Sequence, residues 1–354
     1  LRPRVSEDDL WLTLIHQLAE RFPEIRDGED KTKWLSHCTV EWRGGMRRGS
    51  IIWHASKAFG DSAPANSLDW ELQLKKEDFF VDPDVNIPEG KFFWEVAPLT
   101  PEETETVARY AVLRSHSDLR EKFGEGASTT IHLLSAAVDK ICKRAFFDDA
   151  SIRSAHSAFP FECDLESTHN LAQLFTDVLK PLFERSYPSH PYFVQPLGNK
   201  EVTQLVASFY GGSDPLNPQV QNLAQWLAEP LGLAVNSPEG YIPASAESLL
   251  DQPAIRDAFA GWSGAETYYL SDLALRFNMP PLGLTREAQQ LILAALVAQR
   301  EVEFVTSTDN RINHRSLDLQ MIWDDVVGVA KPAGEKYSGE KLISWTQVLT
   351  DNTE

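Results

Sequence analysis

Residues 268–314 read YYLSDLALRF NMPPLGL TREAQQLILAALVAQR EVEFV TSTDNR INH. The first segment predicts a short helix, because its apolar residues recur at i, i+3, i+4 and i+7. Pro280 and Pro281 end this helix, since proline lacks the backbone N–H and disfavours a helical residue before it. Gly283 then permits a sharp turn. A longer helix, a strand, a polar turn and a returning strand follow, and this order predicts a winged helix-turn-helix.

The longer helix carries apolar residues on nearly all sides, which predicts that it is buried. A helix that reads DNA must present Arg, Lys, Asn or Gln to base edges. Residues 270–315 contain five Arg and five acidic residues, so the segment lacks the basic stripe typical of nucleic-acid-binding domains. We therefore expect this helix pair to serve packing or protein docking. The alternative, DNA reading, requires four polar side chains to face one groove: Arg286, Gln289, Arg300 and Arg311.

The whole chain is acidic, with a net charge of -19 over 354 residues. This charge opposes non-specific attraction to nucleic acid and to anionic membranes. Residues 201–250 contain no Lys or Arg. Such a segment either keeps the protein soluble or docks on a basic partner. We expect protein partners, with nucleic acid as a further possibility. The length suffices for two or three domains.

The cysteine pattern and the hydropathy both indicate a cytoplasmic protein. Three well-separated cysteines, Cys38, Cys142 and Cys163, match no metal spacing and suggest a reducing compartment. No apolar run approaches the roughly 18 residues that span a bilayer, and the first residues lack a signal sequence. The missing initiator Met suggests a processed chain or a piece of a larger protein.

The N-terminal part predicts a helix capped by Ser6 and then a β-hairpin. The hairpin strands are expected at Cys38–Trp42 and 50–54, with a basic tip between them. Its three arginines form the densest positive cluster of the chain: Arg43, Arg47 and Arg48. Guanidinium groups beside glycine N–H groups can hold a phosphate, but charges at a hairpin tip also discourage edge pairing. We favour the second interpretation. Short strands and loops are expected over residues 60–98, with an acidic loop at Asp82, Asp84 and Glu89.

Helices dominate residues 100–260. Thr100, Pro101 and Glu103 form a capping box with proline at the first helical position, which predicts a helix to about residue 115. Further helices are predicted near 128–147, 167–185, 199–210 and 218–228, and they favour a bundle. The sequence thus predicts an α-rich α+β chain in three parts. These are an N-terminal α/β part (1–98), a helical domain (99–186) and a helical plus winged-helix-like domain (187–354).

The motif search assembles no catalytic, cofactor or metal site. Gly124–Thr130 lacks the lysine of a P-loop, and neither a nucleophile elbow nor a zinc-protease motif occurs. His190 lies in a rigid Tyr187-Pro-Ser-His-Pro-Tyr-Phe193 connection. A histidine there is expected to bind a carbonyl or a helix end rather than to act in catalysis.

Three features together resemble a known family. They are the Tyr-Pro-x-His-Pro-x-Phe connector at 187–193, the acidic helical segment after it, and the Phe-x-x-Pro-Pro-x-Gly turn at 277–283 followed by an apolar helix and a β-hairpin. This arrangement, over about residues 170–315, resembles the part that follows the ATPase module in the large P-loop ATPases of bacterial BREX and phage-growth-limitation defence systems. Those proteins commonly have aromatic residues on both sides of the glycine, where this chain has Leu282 and Leu284.

The resemblance implies a non-ATPase portion that docks partners or engages DNA in antiviral defence. Our leading hypothesis is therefore a non-catalytic interaction module of a defence ATPase, with no cofactor. The alternatives are a winged-helix DNA-binding regulator and an enzyme whose site lies in the helical domain. The oligomeric state stays open.

Overall fold

The structure is a computed structural model that describes residues 5–25, 35–53, 68–75, 87, 90–116, 120–121, 124, 126–154, 158–317 and 323–332. The chain forms two compact units. Unit 1 comprises residues 1–192 and 278–285, and unit 2 comprises residues 193–277 and 286–354. The division into three parts at residues 98 and 186 stays a prediction. The acidic loop at Asp82, Asp84 and Glu89 and a closing element expected at 341–349 lie outside the described residues.

Unit 1 contains a six-stranded mixed sheet in the order β1-β2-β3-β4-β5-β6. Its strands are β1 Leu35–Trp42, β2 Gly45–Ile52, β3 Trp70–Lys75, β4 Lys91–Glu95, β5 Ser151–Arg153 and β6 Ala158–Pro160. β2, β3 and β4 run parallel to one another, whereas the β1–β2, β4–β5 and β5–β6 pairs are antiparallel. The α+β class is confirmed, although the sequence patterns did not predict the parallel strands.

Among the described residues, the helices that accompany this sheet include α1 Glu7–Arg21, α2 Pro101–Ser115, α3 Gly126–Lys143 and α4 Leu171–Ser186. The predicted caps of α1 and α2 are confirmed, because the side chains of Ser6 and Thr100 accept hydrogen bonds from the N–H groups of Asp9 and Glu103. In each case the N3 carboxylate returns the bond, which completes a capping box. α3 continues into a π-helical turn at Arg144–Asp148.

Aromatic side chains join the sheet and the helices of unit 1 in one core. Trp94 of β4 is fully buried. Its ring stacks on Phe161 at a centroid distance of 4.7 Å and meets Phe146 and Phe175 edge-on at 6.0 and 5.7 Å. Its indole N–H donates to the Phe146 carbonyl at 2.8 Å, so the one polar group of this side chain is satisfied. The helices of unit 1 thus share a core with a sheet, and they do not form the expected bundle.

The hairpin of β1 and β2 differs from the prediction in its turn. Arg43 and Gly44 alone form the turn, with positive φ angles of 51° and 74°, and Trp42 pairs with Gly45. Two-residue turns with positive φ match the twist of paired strands. The strands therefore extend further than expected, and Arg47 and Arg48 lie within β2 instead of at a basic tip.

Gly49 of β2 is expected to tolerate no side chain. A Cβ atom at this position would lie 2.0 Å from two ring carbons of Trp70, which is itself buried. Because the ring is held inside the core, we expect Gly49→Ala to lower the free energy of unfolding by about 1–3 kcal/mol. Urea denaturation followed by tryptophan fluorescence measures this loss. Gly126→Ala is the matched control, since a Cβ there meets nothing within 4 Å. Equal stability of the two variants would contradict the close approach of Trp70.

Unit 2 combines short helices with two small sheets. The helices are α5 Asn199–Gln204, α6 Pro218–Leu223, α7 Ala246–Leu250, α8 Pro253–Ala258, α9 Leu270–Phe277 and α10 Arg286–Ala298. α5 and α6 continue as π-helical turns at Leu205–Tyr210 and Ala224–Ala228. The strands are β7 Ala234–Ser237, β8 Gly240–Pro243, β9 Tyr268–Tyr269, β10 Glu303–Thr306, β11 Arg311–Ile312 and β12 Val326–Ala330. β7 and β8 form a hairpin, and the others form a sheet in the order β11-β10-β12-β9.

The elements of the 268–314 stretch follow one another in the expected order. α9 ends at Phe277, before the two prolines, and α10 is buried at ten of its 13 residues, as its all-round apolar pattern predicted. β10 and β11 form the expected antiparallel pair, and β12 and β9 extend it to four strands. The winged-helix assignment itself stays a prediction. Among the described residues, no helix combines the length and the apolar character that crossing a bilayer requires.

Candidate functional site

Arg47 is the centre of a buried cluster in unit 1. In β2 the neighbours of Arg47, Met46 and Arg48, are more exposed than Arg47 itself, which points inward and is 0% exposed. Its guanidinium carbon lies 5.0, 4.9 and 4.6 Å from three ring centroids, those of Trp42, Phe183 and Tyr187. Such distances allow cation–π attraction on several sides of the guanidinium. Burial lowers the pKa of Arg47, and the nearby Asp69 opposes this shift.

The turn at Asn278–Thr285 packs within this cluster. Arg47 Nη2 donates to the Gly283 carbonyl at 2.6 Å, and the Ser189 N–H donates to the Pro281 carbonyl at 3.1 Å. Gly283 has a φ of 53°, and a Cβ there would lie 2.2 Å from the Tyr187 ring. Pro280, Pro281 and Gly283 therefore form the predicted turn, and glycine is required both by the backbone conformation and by the close approach of an aromatic ring.

His190 lies beside Arg47 and is held in its neutral form. Its ring stacks on Trp42 at 4.9 Å, and Nδ1 lies 2.8 Å from the Leu282 carbonyl oxygen. A carbonyl oxygen only accepts, so Nδ1 carries the proton and donates it. Burial, followed by the positive charge of Arg47, lowers the pKa of His190 to about 3. The histidine thus binds a carbonyl, as expected, and it fastens the turn instead of exchanging protons near neutral pH.

The three arginines of the hairpin do not gather on one surface. Arg43 joins the Arg47 cluster, since its guanidinium stacks over Trp42 at 4.7 Å and donates to the His190 carbonyl at 2.9 Å. Arg48 follows Arg47 directly in β2, so its side chain points to the opposite face of the sheet. The structure therefore brings Arg43 and Arg47 together around protein groups and separates Arg48 from them.

The three predicted arginines of unit 2 occupy different elements. Arg286 pairs with Asp324 at 2.9 Å on the surface. Arg300 follows α10 with a left-handed φ of 61°, and it is close enough to His314 to lower the pKa of that imidazole, after burial. Arg311 is exposed on β11.

Sequence reasoning did not single out an exposed apolar surface of unit 2. We name it the hairpin face, and it comprises Leu216, Val235 and Ile242. Val235 and Ile242 are cross-strand partners in β7 and β8, and each is 48% exposed. Leu216 is 66% exposed. The neighbouring Ala234 of β7 is buried, so Val235 and its partner Ile242 point to the opposite, outer face of the hairpin.

One glutamine connects the parts of the hairpin face. The Gln221 side chain accepts from the Tyr241 N–H at 2.6 Å and donates to the Tyr241 carbonyl at 3.0 Å. It also donates to the Pro215 carbonyl at 2.7 Å. The residue after Pro215 is Leu216 and the residue after Tyr241 is Ile242, so Gln221 links the two backbone segments that carry these apolar side chains. Its bonds to Tyr241 also satisfy the backbone N–H and carbonyl of that residue on the outer edge of β8.

The stretch of chain that carries the hairpin face has acidic side chains but no basic ones. Residues 201–255 contain six acidic residues and no Lys or Arg. The segments that pack most closely on β7 and β8 are Leu205–Tyr210, Ala224–Ala228 and Glu229–Leu231, which all lie in that stretch. Asp214 and Glu239 are exposed next to the apolar residues. The surface therefore combines apolar contact area with a uniformly negative border.

In the described part of the chain, burial favours the protonated form of the cysteine thiols. Burial raises the pKa of the Cys38 thiol to about 12, and that of Cys163 to about 11. The pKa of the Cys142 thiol is also raised, chiefly by burial. A protonated thiol is a poor nucleophile and a poor metal ligand. The described residues contain no group of three His, Cys, Asp or Glu side chains placed to hold a metal ion.

The chain was also compared with known proteins. Neither a protein-family model, nor a curated protein, nor a solved structure matches it.

Proposed function

We propose that the chain is a non-catalytic interaction module whose unit 2 docks on a positively charged, partly apolar segment of a partner protein. The hairpin face is the observation that carries this proposal. Exposed apolar side chains in a cross-strand pair provide contact area. Removal of this area from water on docking is favourable by about 25 cal/mol for each Å². The negative border adds attraction for Lys and Arg and repels acidic competitors.

Charge decides between a protein partner and the alternative of DNA. Residues 201–255, which carry the hairpin face, contain no Lys or Arg to contact phosphate, and the net charge of -19 opposes approach of a duplex. α10, the helix in the position of a recognition helix, is buried along most of its length. Its first residue, Arg286, is already paired with Asp324. These features favour protein docking over a winged-helix DNA-binding regulator.

The enzyme alternative has less support in the same residues. His190, the one histidine singled out from the sequence, is buried and neutral against Trp42 and the Leu282 carbonyl. A general acid or base needs a pKa near the working pH and access to a substrate. The resemblance of residues 170–315 to the region after the ATPase module of phage-defence ATPases supports an accessory role in such an assembly.

Ile242→Glu is expected to weaken docking at least tenfold, which corresponds to about 1.4 kcal/mol. The change places a carboxylate at the centre of the apolar contact. The binding affinity is measured by fluorescence anisotropy with three labelled probes: a peptide that combines lysines with leucines, a lysine–serine peptide of equal charge, and duplex DNA. We expect saturable binding of the first probe alone at physiological salt.

Leu133→Glu is the matched control, because Leu133 is 66% exposed in unit 1 and distant in sequence from the hairpin face. It is expected to leave the affinity unchanged. Equal affinity for the two peptides would mean that charge alone drives the binding. Preferential binding of duplex DNA would support the DNA-binding alternative instead. The proposal also fails if Leu133→Glu and Ile242→Glu weaken binding equally.

Membership of a defence ATPase is tested separately, from the genetic surroundings of the chain. A Walker-type ATPase encoded upstream in the same reading frame or operon supports the proposed assembly. A coding region that stands alone, with no ATPase beside it, would remove the defence context and leave the docking surface to be judged by the binding experiment.

A further inference from the structure

Among the described strands that lie at a sheet edge, β1 is much the longest. It has eight residues and ends the six-stranded sheet, with β2 as its neighbour. The strand at the opposite edge, β6, has three residues and ends in Pro160, and β9 and β11 have two residues each. Short strands and proline are common protections against edge-to-edge pairing. β1 contains neither proline nor lysine, and its register with β2 has no bulge, so this edge lacks those protections.

The turn between β1 and β2 determines which backbone groups of β1 remain for another strand. Trp42 and Gly45 flank a two-residue turn, so they exchange backbone hydrogen bonds. In an antiparallel pair the bonded positions alternate, so every second residue before Trp42 also bonds to β2. The N–H and carbonyl groups of His37, Thr39 and Glu41 therefore point away from β2. In the described part of the chain, no other backbone group bonds to them.

The side chains of these three residues form a row that is complementary to itself. All three are exposed, whereas the residues between them are buried. When a second copy of β1 lies antiparallel about a two-fold axis at Thr39, each Thr39 faces the other and each His37 faces the second copy's Glu41. An imidazole N–H can donate to a carboxylate, and two hydroxyl groups can bond each other. Facing pairs of both kinds stabilise neighbouring strands.

Other positions of the axis give poorer pairs. With the axis one residue closer to the turn, His37 would face Arg43, and neither charged side chain could accept from the other. With the axis one residue further from the turn, Leu35 would face Glu41. The axis at Thr39 thus gives the best match of side chains, and it is also close to the middle of the strand.

We propose that two copies of the chain join through β1, antiparallel about a two-fold axis at Thr39, so that their six-stranded sheets become one continuous sheet. Each facing pair of the two strands exchanges two backbone hydrogen bonds. The buried side of β1 is already packed within its own chain, as the contact of Trp42 with Phe183 of α4 at 5.7 Å shows. Pairing therefore adds an interface without removing any part of the core.

Salt is expected to act on this dimer and on the docking proposal in opposite directions. The net charge of -19 on each copy opposes association, and salt screens that repulsion. The dimer therefore becomes stronger as salt rises. Docking of a lysine-containing peptide on the hairpin face becomes weaker, because salt screens an attraction there.

Sedimentation velocity of the whole chain over a range of concentrations tests the proposal. We expect the mass to rise from one chain to two, and Thr39→Lys is expected to weaken the dimer at least tenfold, because like charges then face each other. Thr129→Lys makes the same change at an exposed threonine of α3 and is expected to leave the dimer unchanged. A chain that stays monomeric at millimolar concentration would overturn the proposal, as would a dimer that both variants weaken equally.

The two-fold axis permits a second test with a mixture of variants. Thr39→Glu is expected to weaken the dimer as Thr39→Lys does, whereas an equal mixture of the two forms a heterodimer in which Lys faces Glu. Circular dichroism checks that both variants are folded, and a folded mixture that stays monomeric would contradict the axis. Ile242→Glu separates this inference from the docking proposal, since it alters the hairpin face and is expected to leave the dimer intact. Loss of the dimer in Ile242→Glu would assign the association to the hairpin face and overturn the pairing of β1.

Discussion

Arg47→Ala is expected to lower the free energy of unfolding by about 3–5 kcal/mol, the range found when a large core side chain is removed. The substitution deletes the side chain that fills the space between Trp42, Phe183 and Tyr187. It also leaves the buried Gly283 carbonyl without its donor at 2.6 Å. An orphaned buried polar group alone costs about 1–3 kcal/mol. Urea denaturation followed by tryptophan fluorescence reports on this change, because Trp42 contacts Arg47 directly.

Two further variants separate the roles of volume and charge. Arg47→Met keeps much of the volume but supplies no donor, so its loss is expected to be smaller, about 1–3 kcal/mol. Arg109→Ala removes an arginine that is mostly exposed on α2 and pairs with Glu105. Such surface changes usually stay within about 0.5 kcal/mol. If Arg47→Ala matched Arg109→Ala, the buried cluster would have no role in stability, and if Arg47→Met stabilised the chain, burial of the charge would outweigh its contacts.

The free energy of unfolding is expected to fall as the pH is lowered below 6.5, because of His190. Its folded pKa is about 3, against an ordinary value of 6.5. Below pH 6.5 the unfolded chain therefore takes up a proton that the folded chain refuses, and the loss continues until about pH 3. The slope approaches about 1.4 kcal/mol for each pH unit, so the step from pH 6.5 to about pH 5 costs roughly 2 kcal/mol. Above about pH 7.5 this residue contributes almost no pH dependence, because it is then unprotonated in both states.

Comparison with His190→Gln isolates this contribution. Glutamine can still donate to the Leu282 carbonyl but does not titrate, so the variant is expected to lose the extra slope between pH 6.5 and 5. Carboxylates such as Glu103, whose pKa is lowered by Arg144 despite its partial burial, affect both proteins equally and cancel in the difference. His169→Gln, an exposed histidine of unit 1, serves as the control. Parallel pH profiles for wild type and His190→Gln would contradict the buried neutral state.

Local signals in the sequence predicted local structure well. Thr100, Pro101 and Glu103 placed the start of α2, and the all-round apolar pattern of α10 placed it in a core. Such features depend only on residues a few positions apart. The parallel pairing of β2, β3 and β4 joins distant segments, and β5 and β6 have three residues each. Strands that short carry no measurable alternation, so the sheet within the expected helical region could not be predicted.

The candidate sites show the same limit. An inward Arg47 was detectable in principle, because Arg47 alternates in phase with Gly49 and Ile51, and period-two alternation marks one face of a strand. The general rarity of buried arginine argued against that interpretation. The hairpin face depends on which side chains remain uncovered after folding. Val235 and Ile242 have the composition of any buried strand pair, and nothing local in the sequence marks them as exposed.

The passage of residues 278–285 into unit 1 has a consequence for synthesis on the ribosome. Unit 1 consists of residues 1–192 and this later octapeptide, so residues 193–277 must leave the exit tunnel before unit 1 has all its parts. Domains generally fold as units while the chain emerges. A nascent chain that has not yet reached Gly283 keeps Arg47 in an incomplete aromatic enclosure without its carbonyl acceptor. The pace of translation across this interval therefore sets how long an unfinished unit 1 is open to chaperones and proteases.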